Sequence, residues 1–176
     1  MGGFDDRAGH PGAPDIRQGL HLFADGCFEP GSGRGGWAFV AYRDGAEISC
    51  AAGSVANTAN NAMEVMALLQ AVLWINAHAA GEAVAVWSDS VHAVKGCNHW
   101  RPIWRNNRWR KKPANGKARS RPIADPELWQ ALDLQLHQNP LIRVAWCKGH
   151  SGIPGNERAD ALADAGRRAK KLEQSR

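Results

Sequence analysis

Hydrophobic and polar positions alternate through residues 21–25, His21-Leu22-Phe23-Ala24-Asp25. That period of two predicts a strand with Leu22 and Ala24 on one face and Phe23 and Asp25 on the other. Gly26 and the glycine-rich stretch 27–36 that follows read as turn chemistry. Strand patterning resumes over residues 37–42 and 47–52, with Arg43-Asp44-Gly45-Ala46 between them as a hairpin signal. Three antiparallel strands follow from this. The period then lengthens to that of a helix from about residue 60 to residue 80, through Met63, Met66, Ala67, Val72, Leu73 and Trp74, with a stop at Gly81.

Residues 83–89 predict a fourth strand that again ends in an aspartate, Asp89, followed by a small residue, Ser90. A helix separates it from the meander, so it pairs parallel to an earlier strand. If that neighbour is the first strand, Asp25 and Asp89 emerge side by side. Residues 91–100 can form one helix, and residues 113–116 form a loop. Asp125-Pro126-Glu127 opens another helix, with Asp125 as N-cap and Leu128, Leu132 and Leu136 on one face. Residues 141–146 form the fifth strand, and the glycine-containing loop 147–155 leads to a last helix from Asn156, with Ala159, Leu162 and Ala163 inward. Strands and helices mix in one α/β domain over residues 19–166, between a disordered tail at 1–18 and a basic, frayed tail at 167–176.

Composition narrows the setting. Of 176 residues, 44% are hydrophobic and eight are Trp, enough for one well-filled core. No apolar run approaches the roughly 20 residues needed to cross a bilayer, and the first residues lack a secretory pattern. Cys27, Cys50, Cys97 and Cys147 are too scattered for a zinc motif, and read as free thiols of a reducing compartment. The expectation is a cytoplasmic protein.

Net charge is +5, but its distribution says more. Between Ser90 and Ala124 stand ten basic residues and no acidic one, including Arg101, Arg105, Lys111 and Lys112, while the remaining chain is net acidic. An acidic body with one basic arm, at about 91–121, points to a polyanionic partner. Trp100, Trp104 and Trp109 lie at helix-like spacings among the arginines, where indole faces suit bases and sugars.

The carboxylates are ambiguous one at a time. Asp25 alone reads as a turn residue, and Glu64 alone as part of a capping box in the first turn of its helix. Asp25 and Asp89 at one sheet edge are different, because two such groups repel and each loses hydration. Cations between them would relieve both costs.

Five blocks together resemble ribonuclease H of type 1, over about residues 20–166. They are Phe23-Ala24-Asp25-Gly26, Gly35-Gly36-Trp37, residues 60–67 with Asn60, Asn61 and Glu64, Trp87-Ser88-Asp89-Ser90, and residues 148–160 with His150 and Asp160. The resemblance implies a ribonuclease H-like fold, a five-stranded mixed sheet flanked by helices. It implies four metal-binding carboxylates, Asp25, Glu64, Asp89 and Asp160, with His150 on a mobile loop. The implied activity is endonucleolytic hydrolysis of the RNA strand of an RNA–DNA hybrid, leaving 5′-phosphate and 3′-hydroxyl ends. Two Mg²⁺ ions about 4 Å apart, or Mn²⁺ as substitute, would activate water and stabilise the leaving oxygen. Asp25 would bridge them, Asp89 and Asp160 would serve the ion near the water, and Glu64 the other. His150 suits proton transfer or product release.

Contacts to the 2′-hydroxyls would come from Asn60, Asn61 and the backbone amides of Gly26 and Cys27. The basic arm, with Trp100, Trp104, Arg105, Lys111 and Lys112, would grip the DNA strand. No membrane or obligate protein partner is implied, and a monomer is the expectation. Gly31, Phe28, Ala59 and Asp125 depart from the family's usual residues at positions facing the substrate. A non-catalytic module on this fold would lack one of the four carboxylates, and all four are present. The 148–160 block and the arm oppose a resolvase or exonuclease, and an RNA-binding protein without chemistry leaves the carboxylates unexplained.

Overall fold

The computed structural model describes residues 13–112 and 119–169. Its centre is a five-stranded sheet in the order β3-β2-β1-β4-β7. β1 (Leu20–Glu29), β2 (Arg34–Arg43) and β3 (Ala46–Val55) form the antiparallel meander. β4 (Val84–Ser88) pairs parallel to β1, and β7 (Ile142–Trp146) parallel to β4. At the β2–β3 turn Asp44 and Gly45 both have positive φ, 51° and 83°. A two-residue hairpin of the type that matches strand twist needs this.

The meander strands are longer than their hydrophobic pattern suggests. β1 continues through Gly26, Cys27 and Phe28, opposite Trp37, Gly36 and Gly35 on β2, and the chain reverses only at residues 30–33. These glycines mark close packing rather than a turn. A Cβ at Gly26 would collide with the backbone of Met63 and Glu64, and one at Gly36 with the backbone of α5 (Pro154–Arg168).

The alternation of β1 separates two apolar layers. Leu20, Leu22 and Ala24 belong to the larger, with Val65, Leu68, Val72 and Ile75 of α1 (Asn60–His78) and with Trp129, Leu132 and Leu136 of α4 (Pro126–Gln138). Phe23 belongs to the smaller, with Val40, Ile153 and Ala159. Ile16 packs against that second layer, as Tyr42 and Trp87 do, so the described part of the expected tail is tied to the core at this residue. The expected tail at 1–18 otherwise falls on residues 1–12, outside the described residues. At the other end α5 runs through Arg167 and Arg168, both paired with Asp164, so the helix holds two residues of the expected tail and only 170–176 lie outside the described residues.

The basic arm is one irregular helical path. α2 (Val91–Lys95) passes through a π-helical turn at Gly96–Trp100 into α3 (Arg101–Asn106). A two-residue ribbon follows, β5 (Arg110–Lys111) against β6 (Arg121–Pro122), and the expected loop at 113–116 lies outside the described residues. Arg101 and Arg105 both bind Asp133 of α4: Nη1 of Arg101 at 2.7 Å, Nε and Nη2 of Arg105 at 2.8 and 2.6 Å. Asp125 does not cap α4. It adopts a left-handed conformation (φ 50°, ψ 51°) instead of the extended one a capping residue uses, and its side chain makes no capping hydrogen bond.

Removing Asp133 would strand two guanidinium groups against the core, Arg101 with only 17% of its side chain exposed. Asp133→Ala is expected to cost about 2 kcal/mol, since losing one member of a partly buried pair leaves the other uncompensated. Urea unfolding with an unchanged slope checks this. A loss below about 0.5 kcal/mol would mean that the clamp contributes no net stability.

Candidate active site

The sheet builds the site by stopping one pairing early. β4 accompanies β1 only as far as Trp87 opposite Phe23. Beyond that point β1 runs on alone on that side, and Asp25 sits just past the end of the parallel pair. The chain leaving β4 supplies Asp89, two residues after Trp87. Glu64 arrives from α1, whose start crosses β1 at the closest possible distance because residue 26 has no side chain. One carboxylate oxygen each from Asp25, Glu64 and Asp89 thus falls within 4.8 Å of the others.

Asp25 and Glu64 are only 5% and 7% exposed. Glu64 is not a capping residue. α1 begins at Asn60, so Glu64 is in its second turn, and its Oε2 accepts the Gly26 amide at 3.2 Å. The same amide donates to Asp25 Oδ1 at 2.9 Å. Gly26 therefore cross-links two acids, and its N–H, expected to face a ribose hydroxyl, is already engaged. Asp160, on α5, adjoins Asp25 closely enough to raise its proton affinity, though it stands outside the group of three.

Asp89 is held by a residue that spacing alone does not single out. Asn156 is 2% exposed; its Nδ2 donates to Asp89 Oδ2 at 3.1 Å, and its Oδ1 accepts from the Cys147 thiol at 3.5 Å. Trp146 Nε1 donates to the Asp89 carbonyl at 3.1 Å, and Gly149 lies so close that a Cβ there would strike the Asp89 carboxylate. A buried amide in the first turn of a helix is the one available signal for Asn156, and it is a weak one. His150 is exposed, with a positive φ of 49°, on the loop that passes Asp89.

The electrostatics are those of a cation site. Among the described residues no Lys, Arg or His pairs with Asp25, Glu64, Asp89 or Asp160. Burial pushes the Asp25 carboxyl up to about 8, reinforced by Asp89 and Asp160. Burial likewise pushes Glu64 up to about 9, with Asp25 and Asp89 adding to it. Oxygen-only donors carrying excess negative charge suit a hard divalent cation, and the residues present fit one.

The arm offers a separate surface. A groove of about 520 Å³ is lined by His92, Trp100, Ile103, Trp104, Lys111 and Lys112, among others. Trp100 and Trp104 face it, but they also pack: their rings are 5.6 Å apart, and Trp104 meets the buried Trp129 edge-on at 5.1 Å. Trp109 lies against the core. Arg105, expected to contact substrate, has Nε and Nη2 bound to Asp133 instead. Asn60 and Asn61 are exposed at the start of α1, beside the carboxylates.

On this α/β fold the clustered carboxylates, without a basic partner among the described residues and set where β4 ends beside β1, are the arrangement of a metal-dependent enzyme. The RNase H family profile matches residues 17–168, and the chain belongs to that family; it is a metal-dependent endoribonuclease. Ribonuclease H of Dichelobacter nodosus is 40% identical over 145 residues, covering 82% of this chain and 89% of that protein. Ribonuclease H of Cupriavidus necator is 36% identical over 149 residues, covering 85% and 95%. Among solved structures, LC9-RNase H1, described as a type 1 RNase H with the type 2 active-site motif, superposes with a TM-score of 0.67 at 23% identity, over 88% of this chain and 74% of that one. The foamy viral protease-reverse transcriptase in complex with RNA/DNA hybrid gives 0.72 at 20% identity; 88% of this chain is covered, but only 21% of that one. Both likenesses are of fold. No helix among the described residues is long and apolar enough to cross a membrane.

The raised carboxyls set a pH dependence for the metal-free protein. Both bind protons more tightly folded than unfolded, so their contribution to stability is whole below about pH 4 and is lost as pH rises through about 8 and 9. In chelator, this contribution is expected to lower the melting temperature steadily from pH 6 to pH 9. Asp25→Asn should flatten that slope and raise the melting temperature at pH 8 by about 3 °C, equivalent to about 1 kcal/mol in a domain of this size. Differential scanning calorimetry checks both, and an unchanged slope in the variant would dissociate Asp25 from the effect.

Proposed function

We propose that this protein hydrolyses the RNA strand of RNA–DNA hybrids internally, with two Mg²⁺ ions in the carboxylate site, and leaves 5′-phosphate and 3′-hydroxyl ends. The observation that carries the reading is the triple of Asp25, Glu64 and Asp89, crowded, with the first two buried and none with a basic partner among the described residues. A stable fold keeps such a group where a cation or a proton answers its charge. Asp25, Glu64, Asp89 and Asp160 would hold the metal. Bound divalent ions supply charge neutralisation at the phosphate and an acidified water.

The chain's own groups do the rest. Gly26 fixes the spacing of Asp25 and Glu64 through its shared amide. Asn156 orients Asp89. His150, on the exposed loop, would carry a proton to or from solvent. Asn60, Asn61 and the Cys27 amide are the candidates for reading 2′-hydroxyls, the feature that separates an RNA strand from a DNA strand. Trp100, Trp104, Lys111 and Lys112 line the groove of the arm, where stacking and phosphate contact favour the second strand of the duplex. The foamy viral relative's complex with RNA/DNA hybrid agrees with such a substrate. The expected setting is the cytoplasm, as a monomer.

The test presents one labelled sequence as hybrid, double-stranded RNA, single-stranded RNA and double-stranded DNA, with and without Mg²⁺. Metal-dependent internal cuts confined to the RNA of the hybrid are expected; cleavage of another substrate would overturn the specificity. Asp89→Asn is expected to lower cleavage about a thousandfold or more while hybrid binding persists in gel-shift assays, since several kcal/mol of transition-state stabilisation pass through a metal ligand. Asn156→Ala should weaken the apparent Mg²⁺ affinity by about 10- to 100-fold, as loss of an outer partner does, and a full metal titration of activity reads it.

A further inference from the structure

β7 ends the sheet, and a cleft of about 910 Å³ runs along it. All five residues of the strand line the cleft, opposite Val94, Cys97 and Asn98 of the α2–π-turn segment and Leu136 of α4. In a parallel ladder alternate residues turn both backbone groups to one side. Hydrogen bonds from Val84 N–H to the Leu141 carbonyl and from Cys147 N–H to the Ser88 carbonyl fix the odd-numbered residues toward β4. Ile142, Val144 and Trp146 consequently turn their amides and carbonyls toward the cleft. The chain occupies two of these groups: Ile142 N–H donates to the Asn139 carbonyl, and Asn98 Nδ2 donates to the Val144 carbonyl at 3.0 Å. The amides of Val144 and Trp146 follow one another along the edge at the repeat of a strand.

The walls have a definite chemistry. The floor is apolar, from Val94, Cys97, Leu136, Ile142 and Val144, and the charged lining is Arg101, Arg105 and Arg143, beside His137, with no acidic side chain. Asp133 offsets one positive charge of the Arg101–Arg105 pair. Arg143 is exposed, and its guanidinium is steadied over the Trp87 ring at 5.4 Å. The cleft is built from β7, α2, α3 and α4, while the carboxylate site lies where β4 ends beside β1.

We propose that this cleft docks an extended, acidic segment of a partner protein, which adds to β7 as a sixth strand of the sheet. Edge amides at strand repeat are a template for a peptide backbone, and alternate side chains of the added strand meet the apolar floor flanked by Arg101 and Arg105 on one face and Arg143 on the other. A nucleic acid strand would satisfy the arginines but offers nothing spaced to match the edge. The inference is independent of the substrate that the carboxylate site cleaves.

A fluorescein-labelled hexapeptide of alternating aspartate and valine, titrated with the full chain at low ionic strength and read by polarisation, tests it. Saturable binding is expected, lost when lysine replaces aspartate. N-methylation of one alternate set of peptide amides should abolish binding, while methylation of the other set leaves it intact, because only one set faces β7. Arg143→Glu should weaken binding at least about tenfold and leave hybrid cleavage unchanged. Absence of saturable binding, equal binding of both methylated peptides, or displacement by single-stranded DNA of equal charge would each overturn the proposal. The methylation pair needs no protein variant, so it decides the matter even if Arg143→Glu folds poorly.

Discussion

Three carboxylates held within 4.8 Å of one another, two of them almost out of water, are the constraint around which this fold is arranged. Like charges that close would separate if their backbone allowed it. Here the backbone does not. Asp25 is fixed in the middle of the longest strand pairing, Asp89 follows a strand buried between two neighbours, and Glu64 is anchored by a helix that touches β1 backbone to backbone at Gly26. The Gly26 amide shared by Asp25 and Glu64 is one small dipole against this repulsion. The metal-free site is accordingly a store of unfavourable electrostatic energy, released by a proton or a cation, and the core provides what holds it.

Charge on the arm has to be counted in space, not along the chain. Ten basic residues with no acid between Ser90 and Ala124 make the arm look uniformly cationic. Asp133, from a helix later in sequence, holds both Arg101 and Arg105 and offsets one of their two positive charges. What remains toward solvent at the groove is Arg110, Lys111 and Lys112 beside Trp100 and Trp104. The aromatic residues there have two uses at once. The path His92, Trp100, Trp104, Trp129 connects the surface of the groove to the buried face of α4, so the groove keeps its shape because its walls are roots of the core.

The parts of the fold legible in the sequence were those where burial alternates with the local period. Leu22 and Ala24 against Phe23 and the positive-φ pair Asp44-Gly45 follow from short-range pattern, and the parallel sense of β4 follows from the helix before it, while its neighbour β1 does not. What was illegible depends on partners distant in sequence. Gly26, Gly35 and Gly36 carry the composition of a turn, yet they lie within strands because α1 and α5 press against them. Glu64 has the spacing of a capping residue, but in a helix that starts at Asn60 it falls in the second turn, where it accepts the Gly26 amide of β1. Asp125 precedes Pro126 as an N-cap would, and a left-handed backbone turns it away. Asn156 left only a weak signal, since its value is its contact with Asp89, 67 positions earlier.

α3 shows how one short element can separate two surfaces. It has no buried residue of its own. Ile103 and Trp104 open to the groove of the arm, while Arg101 and Arg105 line the cleft beside β7. Asp133 pins the cleft side of α3 to α4, and Trp104 pins the groove side to Trp129 on the same helix, four residues before Asp133. A ligand that drew Arg101 or Arg105 away from Asp133 would loosen the helix that carries the groove. Communication between the two surfaces therefore has a short physical route, a single aspartate shared by two arginines, and it requires no change in the sheet that positions the carboxylates.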